Sequence, residues 1–380
     1  MAAILILTLC VYVGATAYIY LRLVQSLPTM PLAARIGLGL VMIFLAMAMF
    51  LAIGLRNTAL PEVVHKFLFD AGSVWMVFIL YMTLSLIVAD VAHLLFPTLS
   101  GRVWYALGIT LLVMLYGYIN YRHPRIEHID IHSEKYHAEK PLRIVAISDV
   151  HLGYGTDRTD LARYVDMINE QHPDIVFIVG DLIDNSIEPV RRDNMAAEFE
   201  RLDAPLGIYA VLGNHEYISG LEACADYLAT TPITLLRDSV VLLDDIAIVG
   251  RDDRMNPRRK PLAELLERAD SRLTIVLDHQ PYDIRLSDSL GVDIHLSGHT
   301  HRGQVWPLSW ATDMMYDQSH GYRKWTTTHA YVSSGLSLWG PPFRVGTHSD
   351  MAVIDLRKKN RLTKRFCQPP TLCLTIDTTR

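Results

Sequence analysis

Four long uncharged runs near the start of the chain leave it few ways to fold. Residues 2–21 carry no charge before Arg22, residues 36–55 none before Arg56, residues 71–96 only Asp90 and His93, and residues 103–120 none. Each is long enough to cross the roughly 30 Å of a hydrocarbon core as a helix. A helix also satisfies its own backbone polar groups, which hydrocarbon requires. Tyr18, Tyr20, Trp75, Trp104, Tyr116 and Tyr118 stand near the ends of these runs, where aromatic rings anchor at the interface. Composition agrees, because a hydrophobic content of 51% and a mean hydropathy of +0.20 are high for a soluble chain of 380 residues. Four membrane helices are therefore expected over residues 1–121. Ala15-Thr16-Ala17 has the form of a signal-peptidase site, but no basic residue precedes the first apolar run and three more runs follow it.

Orientation follows from Lys and Arg in short loops. Arg22, Arg35 and Arg102 flank one side, while Arg56, Lys66, Arg122, Arg125, Lys135 and Lys140 flank the other. The larger set places both termini and the remaining chain in the cytoplasm. Asp90 and His93 are three residues apart, on one face of a helix. Intramembrane charge often marks a proton or ion pathway, but these two lie close enough to Pro97 to serve instead in packing or at the interface. Cys367 and Cys373 are near enough in sequence for a disulfide, and two free thiols are the equal alternative.

Beyond residue 121 the pattern changes. Residues 122–141 form a short linker with a first strand over 125–131, and residues 142–380 form the second unit. Apolar runs with strand character occupy 142–147, 175–179, 208–212, 274–277 and 292–296. Just past them come Asp149-Val150-His151, Gly180-Asp181-Leu182-Ile183-Asp184, Gly213-Asn214-His215-Glu216, Asp278-His279 and Gly298-His299-Thr300-His301. Ligand-type residues thus recur after the carboxyl ends of five strands, where an α/β sheet opens its crevice. Asp149, His151, Asp181, Asn214, His279, His299 and His301 supply four imidazoles, two carboxylates and one amide. Seven donors exceed the needs of one tetrahedral ion and suit two ions sharing a bridge. The mix of nitrogen and oxygen donors, without Cys, fits Mn, Fe, Zn or Co and leaves the identity open.

These pieces resemble the calcineurin-like metallophosphoesterases, especially their membrane-associated bacterial branch, whose signature runs D-x-H, G-D-x-x-D, G-N-H-[DE], H and G-H-x-H. Every element stands here in order. The resemblance implies an α/β fold, a four-layer α-β-β-α sandwich, here preceded by the four-span helical part. It implies one divalent ion held by Asp149, His151, Asp181 and His301, and a second by Asp181, Asn214, His279 and His299, with Asp181 as the bridge. His215 resembles the residue that stabilises the phosphoryl group or protonates the leaving oxygen. Asp184 and Glu216 are candidates to orient imidazoles, with turn and helix-cap roles as the alternative. Arg302 is a candidate phosphate ligand, or else a solvated loop residue.

The expected function is a membrane-bound phosphohydrolase acting on a phosphomonoester, phosphodiester or pyrophosphate. Aromatic and Met residues over 306–325 and 336–343 suggest an apolar lip for a lipid-linked phosphate, with ordinary loop packing as the other reading. The rival function is a membrane sensor or transporter carrying a regulatory phosphoesterase-like unit. A net charge of −5 and no basic, aromatic-interleaved patch argue against nucleic acid as a partner.

Overall fold

The computed structural model describes residues 2–55, 58, 61–98 and 100–359. Arg56, Cys367 and Cys373 lie outside the described residues, so the disulfide expectation does too. Helices α1 (Ala2–Ser26), α2 (Leu32–Gly54), α3 (Glu62–Leu95) and α4 (Arg102–Arg122) are each long and apolar enough to cross a membrane. They pack through small side chains. A Cβ on Gly72 of α3 would come 2.2 Å from the Met49 nitrogen of α2, so only glycine permits that approach.

Helix α3 begins well before the uncharged run that predicts it. Its extra turns carry Glu62, His65, Lys66 and Asp70, and Lys66 pairs with Asp70 at i,i+4 (3.2 Å). At the other end Asp90 accepts from the Tyr18 hydroxyl (2.5 Å) and pairs with Arg22 (2.5 Å) and Arg102 (3.3 Å). This cluster ties α1, α3 and α4 together, so the intramembrane carboxylate has a packing role.

The second unit holds two six-stranded sheets. The first contains β1 (Arg125–Ser133), β2 (Leu142–Ile147), β3 (Ile175–Val179), β4 (Ile208–Val211), β5 (Ile233–Leu235) and β12 (Asp350–Lys358), in the order β1-β12-β2-β3-β4-β5. The second contains β6 (Ser239–Leu243), β7 (Ile246–Gly250), β8 (Leu273–Leu277), β9 (Ile294–Ser297), β10 (Gly321–Lys324) and β11 (His329–Val332), in the order β10-β11-β9-β8-β7-β6. Strands β2 to β5 run parallel, as do β7, β8, β9 and β11.

Alternation explains the layers. On β2 and β3, Ile144, Ala146, Ile175 and Phe177 join the core between the sheets with Ile248, Ile275 and Leu296 of the second sheet. Val145, Ile147, Val176 and Ile178 face the other way, onto Leu161, Val165 and Ile168 of the helix Arg158–Asn169 and onto Phe199 and Leu228. Both faces are covered, so these strands read as continuous apolar runs. Val249, Val276, Leu262 and Leu265 form the outer layer on the second sheet. Two short helices, Glu188–Arg192 and Ala196–Phe199, follow β3. A longer helix runs from Asn214 to Leu228, with a break at Gly220 (φ 109°). Helix Leu308–Met315 carries no sequence expectation at all.

Candidate metal centre

The five loops converge where the two sheets meet. Strands β2, β3 and β4 bring Asp149 and His151, Asp181 and Asp184, and Asn214 and His215, while β8 and β9 of the other sheet bring His279, His299 and His301. The loops continue the sheet hydrogen bonding beyond the strands, with Asp149 N donating to Gly180 O (3.1 Å), His151 N to Asp181 O (3.0 Å) and Gly298 N to His279 O (2.9 Å). Asp149, His151, Asp181, His299 and His301 all lie in the left-handed region, with φ of 55°, 51°, 51°, 72° and 47°. Asp and His tolerate this region better than most residues, yet each such residue costs on the order of 1 kcal/mol.

Three sets of ligand atoms lie within 4.8 Å of one another: Asp149, His151 and His301; His151, Asp181 and His215; and Asp181, His279 and His299. Asp149 Oδ1 stands 3.3 Å from His301 Nε2 and 3.7 Å from His151 Nε2. Asp181 Oδ2 stands 3.0 Å from His279 Nε2 and 4.0 Å from His151 Nε2. The second oxygens are occupied: His215 N donates to Asp181 Oδ1 (2.8 Å), and Ser148 Oγ (2.5 Å) and His299 N (3.0 Å) donate to Asp149 Oδ2. His279 Nδ1 bonds the Val179 carbonyl (2.8 Å), which turns Nε2 inward.

Buried polar atoms without partners test whether cations suit the place. Asn214 Oδ1 is buried without a hydrogen-bond partner among the described residues, and the Nε2 atoms of His151 and His301 face each other at 3.1 Å beside Asp149. Such atoms are costly unless something else satisfies them. Charge points the same way. Burial opposes ionisation of Asp149 and Asp181, but the imidazoles of His301 and His279 outweigh it and hold both carboxyls well below their usual range. Burial and the neighbouring His279 lower His299 to about 4, leaving it a neutral donor. The residue set thus fits metal ions.

The family model described as calcineurin-like phosphoesterase matches residues 142–303. A Campylobacter jejuni metallophosphoesterase is 30% identical over 376 residues, covering 93% of this chain and 98% of that protein. The chain belongs to the calcineurin-like metallophosphoesterases. A Helicobacter pylori metallophosphoesterase is 36% identical over 245 residues, which span 63% of this chain and 65% of that relative. A zebrafish (Danio rerio) transmembrane protein with a metallophosphoesterase domain is 33% identical over 273 residues, 67% of this chain and 62% of that one.

Around the centre of this metallophosphoesterase, the remaining candidate residues separate by role. His215 Nδ1 contacts Asp184 Oδ1 at 2.6 Å, and Asn185 Nδ2 donates to the other oxygen of Asp184 (2.8 Å). Burial alone would lower His215, and the carboxylates of Asp181 and Asp184 reverse this, raising it to about 9. Glu216 meets no imidazole: it accepts from the backbone of Gly213 (2.7 Å), Ile183 (2.8 Å) and Asp181 (3.2 Å), and burial raises it to about 7. It joins two ligand loops, which is the cap alternative. Arg302 is left-handed (φ 48°), and its charge bears on His320 and His348.

Two further residues matter that motif spacing does not pick out. The Trp339 ring lies tilted beside the His215 ring, with centroids 6.0 Å apart. Arg344 is fully buried and donates to the carbonyls of His301 (2.8 Å), Gly335 (3.1 Å) and Ser337 (3.1 Å). Its own carbonyl accepts from Asn120 Nδ2 of α4 (2.9 Å). No local pattern signals it, since a lone Arg after an aromatic residue reads as surface.

Proposed function

We propose that the protein is a membrane-anchored phosphohydrolase in which residues 1–121 hold residues 142–380 against the bilayer and a pair of divalent ions serves the reaction. The observation that carries this reading is that the ligand sets adjoin, with the Asp181 carboxylate and the His151 imidazole each in two of them; of the two, the carboxylate is the group able to serve two ions, since a neutral imidazole offers one lone pair. Asp149, His151 and His301 would hold one ion with Asp181, and Asn214, His279 and His299 the other. Bound there, the ions would neutralise phosphoryl oxygens and acidify water. His215, oriented by Asp184, offers its other ring nitrogen to the phosphoryl group or to the leaving oxygen. Trp339, beside His215 and partly exposed, supports an apolar substituent on the substrate. The substrate class is a phosphate ester or pyrophosphate carried at the bilayer surface.

The test uses the full chain in detergent with added Mn, Zn, Co or Fe, assayed on p-nitrophenyl phosphate and its bis ester, with metal content measured in parallel. Asp181→Asn is expected to lower both the metal bound per chain and turnover, the latter by roughly a hundredfold or more because two ions share the group. Unchanged metal content and activity would remove the bridging role. Metal-loaded protein that turns over neither ester would favour the sensor reading.

A further inference from the structure

The second unit does not merely touch the ends of the helices. Helix α4 is uncharged from Val103 to Tyr121, and Met114 lies eight residues before Arg122, about 12 Å along the axis at 1.5 Å per residue. Tyr81 of α3 lies eleven residues past Asp70, about 16 Å by the same rise. These two mid-run residues pack in one cluster with Val77, Val305 and Phe343. The Tyr81 hydroxyl donates to the Trp306 carbonyl (2.8 Å). Lower on α4, a Cβ on Gly117 would come 2.8 Å from Val345 Cγ2, so glycine admits the incoming chain.

The segment that reaches this depth exposes apolar side chains outward. Met314, Met315, Trp310 and Leu308 are 81%, 66%, 61% and 51% exposed, on a helix of only eight residues. Its one charged group, Asp313, is turned back to Ser319 and lies 3.9 Å from His320. Scattered apolar residues are ordinary on a protein surface, but four large exposed ones within eight residues, with Trp306 against Trp310 at 5.4 Å, make a patch that is not. It is also continuous with the apolar flanks of α3 and α4 through Trp306 and Phe343. Water would meet the patch at a depth where the helices beside it carry no charge.

We propose that residues 306–315, with the Trp339 loop, are immersed in the leaflet on the side of the second unit, as a helix lying in the membrane without crossing it. A short helix with an apolar outer face and Trp at its edge suits that position. The segment begins just after His301 and Gly303, and Trp339 lies against His215, so the metal centre opens at headgroup level. A substrate could present its phosphate there while its apolar part remained in the leaflet. This inference rests on α3 and α4 spanning a bilayer and does not depend on turnover.

The test is depth measurement on the full chain in phosphatidylethanolamine and phosphatidylglycerol vesicles. Cys10, Cys367 and Cys373 are replaced by Ser, buried Cys224 is kept, and a nitroxide is attached at Met314→Cys or, as the reference, at Leu206→Cys on a loop before β4. The Met314 label is expected to collide with oxygen and be shielded from a polar nickel chelate. Its oxygen-to-chelate ratio should exceed that at Leu206 by roughly tenfold, because hydrocarbon excludes the chelate. A ratio equal to that at Leu206 would overturn the proposal, as would shielding from both reagents, which marks contact with another protein surface. Hydrolysis of the soluble esters by the same samples reports separately on the function, so a loss of either reading is distinguishable from a loss of the other.

Discussion

At His215, one contact decides what the ring can do. Asp184 Oδ1 occupies Nδ1 at 2.6 Å, so chemistry toward a substrate falls to the other nitrogen. His215→Ala is expected to leave metal content near wild type, since none of the seven residues assigned to the ions is altered, and to slow turnover by roughly a hundred- to ten-thousand-fold. The loss should be larger on an alkyl phosphate than on p-nitrophenyl phosphate, because a basic leaving oxygen needs the proton more. Equal losses on the two esters, measured as kcat, would assign His215 to phosphoryl positioning. Glu216 shows the opposite case: a motif carboxylate whose contacts are all backbone N–H groups and whose work is to hold the Gly213 and Asp181 loops together.

Among the elements, the strand-end loops carry the strain. Left-handed φ at Asp149, His151, Asp181, His299 and His301 aims successive side chains into one volume, which an extended continuation of the strands could not do. Close backbone approach is the second requirement. A Cβ on Gly298 would come 1.9 Å from Ser148 Oγ and 2.3 Å from Asp149 Oδ2. Both neighbours are buried and hydrogen-bonded, so neither can yield cheaply. Gly298→Ala is therefore expected to displace Asp149 and lower metal affinity by at least about tenfold, the scale on which disturbed ligand orientation acts. A metal titration indistinguishable from wild type would show that the loop relaxes without moving the carboxylate.

For the whole molecule, the connection between membrane helices and catalytic unit is a packed interface. Arg122 pairs with Asp160 (2.6 Å), Lys66 donates to the Tyr154 carbonyl (2.8 Å), Glu62 pairs with Arg192, and the Tyr121 hydroxyl lies 3.0 Å from Ser337 Oγ. Arg344 continues this contact inward, from Asn120 of α4 to the carbonyl of His301. On the far side, Arg22 and Arg102 both pair with Asp90, and the count of Lys and Arg in the short flanking stretches is larger on the side of the second unit. A reporter fused after Arg380 should accordingly read as cytoplasmic. An exported reading would reverse the orientation and place Cys367 and Cys373 where a disulfide can persist.

Much was legible along the chain itself. Hydrocarbon-length uncharged runs specify helices because no other open structure satisfies its backbone in lipid, and α1, α2 and α4 follow those runs closely. Apolar runs such as 142–147 and 175–179, each followed by ligand residues, specify buried strands with a polar crevice at their ends, and β2 and β3 have those bounds. What the tertiary structure alone decided depends on residues far apart in sequence. The dual membership of Asp181, the duty of Glu216, the burial of Arg344 and the depth of Trp306 beside Tyr81 each require the two sheets and the helices to be packed first. Local pattern records which face of an element is apolar, but it carries no record of which distant backbone will arrive there.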